Sequence, residues 1–494
     1  MNTLKRTLAL VATLAMTATA FASCGDDKKE ENKAETTTAA ATEATTAADG
    51  GETTTTDGGN VGGDHVIDPS VKQDGDTFTV AAWNADDVPY LIAQWKGLSY
   101  DTIVEDLANN KVDGVNAIIF GVGGGEASER YDQLFNDGGD LDVYFCEADW
   151  ALKYINDDTK TLDLAKLGLG DADFANMYDY TNQIGLTSDG VRKGVSWQAA
   201  AGGFAYRADL AEEYLGAKTP EEMQEKVKDW DAFVAAAKEV SEKSGQKVAL
   251  ADSLGGLWQA FACGRTQPWV KDNKLVIDDF CTKFGDTAKA LWDCGGVTKN
   301  NQWSDEAWTA AGVSGNVMGY FVSTWGFGGF FLDAAGGEGG AQYGKWNVCE
   351  GPQSFYWGGT WIVVNPNTDN GKEAQEFILS ATSDEAQMTA YAKNKPEYVN
   401  NSKVMDDLIS SNTVFNEKIS GNFKDGQNYF AELAKNAKSI DFKGLITPYD
   451  ATVKADFVTA VREEYLEGGK SWDDAMDKFK DKVAEDVTTL DWDD

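Results

Sequence analysis

Residues 131–145 read YDQLFNDGGDLDVYF, and this stretch decides the class of fold. Its first part belongs to a short helix predicted over residues 128–135, and residues 141–145 form an apolar run that predicts a strand. A helix that leads within a few residues into a strand is typical of an α/β unit. The stretch therefore predicts an alternating α/β pattern for the folded part of the chain.

The alternation extends in both directions from this stretch. Short runs rich in β-branched and aromatic residues predict strands at residues 77–82, 115–120, 247–251 and 316–322. Helical stretches separate these strands, so a largely parallel sheet is expected. About 420 structured residues exceed what a single core supports, and two α/β lobes are the expected division.

Two helical regions carry clear sequence signals. Thr219-Pro220-Glu221-Glu222 has the form of a capping box with proline at the first helical position. A single helix is predicted to continue from there, with its buried face formed by Met223, Val227, Trp230, Val234 and Ala237. Near the C-terminus, apolar residues at intervals of four from Val453 to Tyr465, and a capping Ser471 further on, predict further helices.

The N-terminus is predicted to be a processing signal. Lys5 and Arg6 precede an apolar region, residues 8–22, that is too short to span a bilayer. It ends Phe21-Ala22-Ser23-Cys24, which resembles a bacterial lipobox, so residues 1–23 are expected to be removed and Cys24 lipidated. An ordinary secretory signal is the alternative. Residues 24–75 are rich in Thr, Ala and Glu and are expected to form a disordered tether.

Composition excludes several classes of function. The formal net charge of −38 disfavours nucleic acid and anionic membranes as partners. The chain has a single histidine, His65, so Ser-His-Asp, Cys-His and His-rich metal sites are excluded. It has 16 tryptophans, so a function is needed that uses indole rings and carboxylates without imidazole.

The cysteines do not indicate redox or zinc chemistry. Five follow Cys24, an odd number, and no pair has CxxC spacing. Buried free thiols are expected for Cys146, Cys263, Cys281, Cys294 and Cys349. One bridge, such as Cys281–Cys294, remains an alternative.

Several segments together resemble the extracellular solute-binding proteins of ABC transporters, in the carbohydrate-binding family that includes the maltose-binding protein (family 1). They are residues 131–144, 194–198 with 203–210, and 358–364 with 374–377 and 383–387. The resemblance implies a class II periplasmic-binding-protein-like fold with a ligand cleft between two lobes. It places lobe 1 at residues 76–188 plus 354–400, and lobe 2 at residues 189–353 plus 401–494.

Indole rings and carboxylates suit a sugar ligand. A flat indole covers the apolar face of a pyranose, and polar side chains pair with its hydroxyl rim. Ligands of α/β lobes bind beyond the carboxyl ends of the strands, where several of these residues fall. The candidates are Trp83, Asn84, Asp149, Trp150, Trp197, Trp258, Trp325, Trp357, Trp361 and Tyr449, the last at a position where the resemblance places an aromatic contact. Trp303, Trp308 and Trp346 are assigned to neither site nor core.

The resulting hypothesis is a surface lipoprotein that captures a carbohydrate for an ABC importer. An oligosaccharide ligand, hinge closure of the lobes, a membrane permease as partner and a monomeric state are expected. No catalytic residue, cofactor or metal site is expected. The alternatives are a secreted glycoside hydrolase, with Glu147 and Asp149 as its carboxylates, and a solute-binding protein for a peptide or polyamine.

Overall fold

The computed structural model describes residues 65–303, 305–395, 397–412, 417–441 and 445–492. The predicted signal segment, Cys24 and the tether up to residue 64 lie outside the described residues. Within the described ranges, no helix combines the length and the apolar character that crossing a bilayer would require. His65, at the start of the first range, donates or accepts a hydrogen bond of 2.8 Å with Asp173.

The first lobe is built on a five-stranded sheet with the strand order β2-β1-β3-β11-β4. Its strands are β1 Phe78–Ala82, β2 Val115–Ile119, β3 Val143–Glu147, β4 Gly194–Ser196 and β11 Thr360–Val364. Strand β1 pairs in parallel with β2 and β3, and β11 runs antiparallel to β3 and β4. The prediction of a largely parallel sheet is therefore correct only for β1 with β2 and β3. It is wrong for the rest of this sheet, because the returning strand β11 pairs antiparallel with both of its neighbours.

The second lobe is built on a four-stranded sheet with the order β10-β5-β9-β6. Its strands are β5 Gly202–Arg207, β6 Ala249–Ala251, β9 Val317–Ser323 and β10 Trp346–Cys349. Only β6 and β9 pair in parallel here, because β5 runs antiparallel to both β9 and β10. A short hairpin, β7 Val270–Lys271 with β8 Lys274–Leu275, stands apart from both sheets.

Helices cover the faces of both sheets. In the first half of the chain they are α1 Val88–Lys96, α2 Ile103–Ala108, α3 Gly124–Asn136, α4 Ala151–Ile155, α5 Asp179–Ile184, α6 Ala208–Leu210, α7 Pro220–Val227 and α8 Trp230–Ser244. In the second half they are α9 Leu254–Ala262, α10 Asp279–Cys294, α11 Asp305–Ser314, α12 Phe330–Ala334, α13 Gly371–Thr382, α14 Glu385–Asn394, α15 Ser402–Ser410, α16 Glu417–Ser420, α17 Tyr429–Ser439, α18 Asp450–Ala460 and α19 Trp472–Asp486. Single 3₁₀ or π turns occur at Leu164–Leu167, Ala211–Leu215, Thr324–Gly326, Lys424–Gly426 and Val461–Glu467.

The helix predicted after Pro220 is divided in two. Helix α7 ends at Val227, and α8 begins at Trp230. The carboxylate of Asp229 accepts a hydrogen bond of 2.8 Å from the amide of Ala232, so it caps the second helix. An aspartate at this position satisfies an otherwise unpaired helical N–H, which favours a new start over continuation.

The chain crosses between the lobes along paired extended segments. Strand β4 lies in the first sheet, with Ser196 opposite Trp361, so the first crossing follows Ser196 rather than residue 188. Residues 197–201 then pair with the return segment: the amide of Gly202 donates to Phe355 O at 2.8 Å, and the amide of Trp357 donates to Ala200 O at 3.0 Å. These two paired segments connect the lobes, and residues of the return segment line the cleft described below.

Candidate functional site

The first side of the site is the edge of the first sheet at which its parallel strands end. Strands β1 and β3 run in the same direction, so Trp83 and Asn84, after β1, share that edge with Glu147 and Asp149 at the end of β3. Ligands of open α/β sheets bind outside this edge. The amide of Asp149 donates to a carboxylate oxygen of Glu147 at 2.8 Å, which orders the turn.

A cleft lies between this edge and the second lobe. Its volume is about 70 Å³. Asp149 contributes from the first lobe, Arg265 and Lys454 from the second, and Tyr356 and Trp357 from the return crossing. The site therefore takes side chains from both lobes and from the segment that joins them.

A larger depression, of about 570 Å³, lies on the second lobe near Trp230 and Gln353. It receives no side chain from the sheet edge of the first lobe. We place the candidate site in the smaller cleft because side chains of both lobes line it.

Charged groups join the two lobes across the cleft. The ammonium of Lys454, on α18, forms an ion pair with the carboxylate of Asp149. Behind it, Arg265 Nη1 donates to Asp450 Oδ2 at 3.1 Å, and its Nη2 donates to Leu445 O at 3.2 Å. Lys454 thus lies between carboxylates of both lobes.

Burial changes the ionisation of this group of residues. Burial, together with the neighbouring charge of Asp149, raises the pKa of Glu147 to about 8. Burial opposes a charge on Lys454, but the carboxylates of Asp149 and Glu147 raise its pKa above the ordinary value. At neutral pH the cleft therefore holds a protonated lysine beside carboxyl groups of which Glu147 retains its proton.

Aromatic rings form a wall beside the cleft and Glu147: Trp357 lines the cleft, and Trp325 packs against Trp357. Trp325, after β9, donates its indole N–H to Trp357 O at 2.8 Å, and the two rings are 5.0 Å apart at 70°. Gly358, with φ of 67°, lies between them and the first lobe: a Cβ there would meet Trp325 Nε1 at 3.4 Å and Glu147 Oε1 at 3.6 Å. Because glycine has no side chain, the space between the indole of Trp325 and the carboxyl group of Glu147 stays unfilled at this position.

Trp83 and Trp150 form a second aromatic pair at the edge of the first sheet. Their rings are 6.1 Å apart at 71°. Trp83 is half-buried and Trp150 is 6% exposed, packed against Tyr131 and Tyr154. Asn84 accepts a hydrogen bond of 3.1 Å from the amide of Asp86 in the same turn. Trp83 and Asn84 are thus more exposed than Trp150, and the side chains that line the cleft include none of the three.

Three of the proposed tryptophans lie in hydrophobic cores. Trp197 and Trp361 are each 1% exposed within the first lobe, and Trp361 donates its indole N–H to Thr181 O at 3.1 Å. Trp258 is 2% exposed and packs among rings of the second core such as Trp269 and Phe457, with one edge towards the cleft. We leave Trp197 and Trp361 out of the candidate site because neither has a face open to a ligand.

Other candidates occupy the rim. Tyr449 is half-buried, precedes α18 and packs against the second core. The five described cysteines form no disulfide; Cys146, Cys281 and Cys349 are buried, whereas Cys263 and Cys294 are half-buried. Cys263 lines the cleft, and burial raises the pKa of its thiol to about 11.

Lys454 and Tyr356 are not among the candidate ligand-binding residues indicated by the sequence, and Arg265 is predicted there to form a structural ion pair, as it does with Asp450. Lys454 lies 305 positions from its partner Asp149, so no local pattern connects them. The sequence places Glu147 directly after the third predicted strand, where it either caps the next helix or serves as a hydrolase carboxylate. Its position at the last residue of a buried strand was the available signal.

The described residues contain one group of three carboxylates close enough to share a metal ion, Asp140, Asp142 and Asp369. The carboxylate of Asp142 already accepts hydrogen bonds from the amide of Thr79 at 2.7 Å and from the hydroxyl of Thr368 at 2.6 Å. Asp142 therefore connects β1 and the start of β3 with the turn after β11 through hydrogen bonds, and we assign no metal to this group.

A buried acidic pair lies at the crossing, close to the cleft. The side-chain amide of Gln198 donates to Asp87 at 3.3 Å and to Glu397 at 3.2 Å. The hydroxyl of Tyr391 donates to Asp87 at 2.8 Å. Burial raises the pKa of Glu397, and the charge of Asp87 raises it further.

We expect the stability of the chain to fall as pH rises from about 5 to 8. The folded-state pKa of Glu147 is about 8 against an ordinary value of 4.5, so its contribution is complete below 4.5 and is lost as pH rises through 8. Glu397 acts in the same direction. The expected loss is about 1–3 kcal/mol per glutamate, measured by urea unfolding across this range.

Glu147→Gln and Glu397→Gln should each flatten this dependence, because the amide has no proton to lose. Glu242→Gln, at an exposed glutamate of α8, is the matched control and should leave the slope unchanged. If both buried variants lose stability with rising pH as steeply as the unaltered chain, Glu147 and Glu397 are not the groups responsible for the pH dependence.

Comparisons with known proteins agree with this architecture. The family model of bacterial extracellular solute-binding proteins matches residues 111–413. No curated protein sequence matches the chain. The chain resembles an extracellular solute-binding protein of family 1 with a TM-score of 0.65 and 18% identity, over 83% of this chain and 99% of that one.

Two further solved structures show the same likeness. The galacto-N-biose/lacto-N-biose I-binding protein of an ABC transporter from Bifidobacterium longum, in complex with lacto-N-biose, gives a TM-score of 0.60 and 17% identity over 84% of this chain and 98% of that one. The sugar-binding protein MalE from Xanthomonas citri gives a TM-score of 0.61 and 14% identity, over 82% of this chain and 96% of that one. At these identities the likeness establishes the two-lobe fold, which confirms the class predicted from the sequence.

Proposed function

Because the chain belongs to the family of bacterial extracellular solute-binding proteins, we propose that it captures a carbohydrate in the cleft between its lobes and delivers it to an ABC importer. The observation that carries the proposal is that Trp357 and Asp149 line one cleft. The indole of Trp325 and the carboxyl group of Glu147 lie directly beside them, on either side of Gly358. Sugar-binding relatives of the same fold, such as the one solved with lacto-N-biose, support the choice of ligand class.

The chemistry of the cleft suits a neutral sugar. The indoles cover an apolar pyranose face, while the carboxyl groups accept or donate hydrogen bonds to its hydroxyls. Leaving one buried hydroxyl unpaired costs about 1–3 kcal/mol, so the positions of these groups select among stereoisomers. The net charge of −38 disfavours anionic sugars.

Closure of the lobes is the proposed binding step. Contacts to a ligand from Asp149 on one lobe and Trp325 on the other form together only when the lobes approach. A ligand therefore stabilises the closed state by its extra contacts there. The closed form is then presented to a membrane permease; binding is expected to involve one copy of the chain and no covalent step.

A ligand screen by melting temperature tests the proposal. A bound saccharide at about a hundred times its dissociation constant adds about 2.7 kcal/mol to the unfolding free energy, which raises the midpoint. We expect neutral di- and oligosaccharides to raise it, and spermidine and short peptides to leave it unchanged. A shift with the polyamine or peptide alone would favour the alternative solute classes, and released product during incubation would favour a hydrolase.

We further propose that lipidated Cys24 anchors the chain to the outer face of the bacterial cytoplasmic membrane, with residues 24–75 as the tether. The support is the lipobox-like Phe21-Ala22-Ser23-Cys24 after an apolar region. Cells that express the full chain should incorporate labelled palmitate into it, and Cys24→Ser should abolish the label. Equal labelling of both would contradict the anchor.

A further inference from the structure

Trp303 is an exposed indole with an unusual backbone. Its side chain is 56% exposed, the largest exposed fraction of any tryptophan among the described residues. Its φ is 63°, in the left-handed region that a bulky residue seldom adopts, at a cost of about 1–2 kcal/mol. A strained residue that shows a large apolar surface to water needs a reason, and such strain is concentrated at functional sites.

The ring of Trp303 continues the aromatic wall of the cleft. It stacks on Trp325 at a centroid distance of 5.9 Å and an angle of 21°, and it lies 5.4 Å from the ring of Trp357. Phe330 and Trp308 pack against it from the protein side, at 5.3 and 5.1 Å. Trp357 itself lines the cleft. The indoles thus form one series from the cleft to the surface.

We propose that Trp303 is an outer platform of the binding site, on which a sugar unit of a neutral oligosaccharide rests after the chain leaves the cleft. The inference rests on the proposed function. A cleft of about 70 Å³ holds little of a long ligand, so an oligosaccharide must extend along the wall. The nearly parallel stacking on Trp325 supports the exposed indole, and a pyranose with a free apolar face is the unit that such a surface takes.

The platform makes a prediction about chain length. Ligands confined to the cleft do not reach Trp303, whereas longer ligands gain one aromatic contact. Removing the ring should therefore weaken the binding of long oligosaccharides about tenfold and change the binding of the shortest ligand less than about twofold.

Trp303→Asn is the appropriate variant, because asparagine accepts a positive φ and the substitution removes the ring without adding backbone strain. Trp303→Tyr retains a stacking surface and should restore most of the affinity for long ligands. Trp492→Asn is the matched control, since Trp492 is also exposed, at 37%, and is absent from the aromatic wall. Melting midpoints of all three variants establish that they fold.

Calorimetric titration of the full chain with malto-oligosaccharides and β-galacto-oligosaccharides, from the disaccharide to the pentasaccharide, gives the decisive comparison. A loss that grows with chain length in Trp303→Asn, and not in Trp492→Asn, supports the platform. Equal losses at every length, or none at any length, overturn the platform while the proposed function stands. If the unaltered chain binds no member of either series, the proposed function fails and the platform fails with it.

Discussion

Trp325→Ala is expected to weaken saccharide binding about 30- to 100-fold, measured by titration with the sugar that gives the largest thermal shift. Trp325 is half-buried, stands between Trp357 and the exposed Trp303, and lies beside Gly358 at the entrance to Glu147. A central aromatic contact of this kind carries 2 kcal/mol or more of binding free energy, by the usual scale of about 2–4 kcal/mol for such anchors.

Two further variants separate stacking from hydrogen bonding and from general loss of an indole. Trp325→Phe keeps a ring but removes the N–H that donates to Trp357 O at 2.8 Å, so it should retain much of the affinity and lose some stability. Trp292→Ala removes a half-buried indole of α10, which lies beneath the ammonium of Lys299. It should leave saccharide binding unchanged. Equal effects of Trp325→Ala and Trp292→Ala would contradict a specific role for Trp325.

Lys454→Met is expected to open the cleft and to lower saccharide affinity about tenfold or more. The ammonium of Lys454 pairs with Asp149 across the lobes and lies close to Glu147 and Asp450. Without this cation, carboxylates of the two lobes face one another in a region of low dielectric, and their repulsion favours separation. Truncating one partner of a hydrogen-bonded charge pair costs about 2–5 kcal/mol when it is buried, and less here because Lys454 is 24% exposed.

Small-angle scattering of the ligand-free chain should show a larger radius of gyration for Lys454→Met than for the unaltered protein. The matched control is Lys438→Met, which breaks an exposed ion pair with Asp406 whose members are each 51% exposed. It should change stability by less than about 1 kcal/mol and leave the radius unchanged.

The pairing itself is tested by combining Lys454→Met with Asp149→Asn. If the two residues act through one another, the double variant should cost about 1–3 kcal/mol less than the sum of the single variants in the same binding measurement. Strict additivity would show that Lys454 does not act through Asp149.

The strands could be predicted from the sequence because they are short, apolar and buried. Two examples are the strands Val143–Glu147 and Phe78–Ala82. Each can be recognised without knowing which strand it pairs with, because its run of apolar residues already indicates that it is buried. The break in the helix after Val227 was missed because its apolar spacing continues through the gap. The capping carboxylate of Asp229, a local hydrogen bond, outweighed that spacing.

Only some of the residues of the candidate site could be predicted from the sequence. Residue type and position after a strand pointed to Trp83, Asp149, Trp325 and Trp357, which lie at the edges that face the cleft or in its wall. The same residue type also pointed to Trp197 and Trp361, which are 1% exposed in a core. Indole rings serve equally well as core and as ligand platform, so composition does not separate the two uses.

By itself, the sequence determined the α/β class, the single histidine and the supply of tryptophans and carboxylates, because these depend on local pattern and on counts. Only the tertiary structure decided which of those side chains meet. Lys454 reaches Asp149 from 305 positions away, and Trp303 joins the wall by stacking on Trp325. The first contact arises from the packing of the two lobes against each other, and the second from the packing of helices and strands within the second lobe. No local spacing in the chain records either of them.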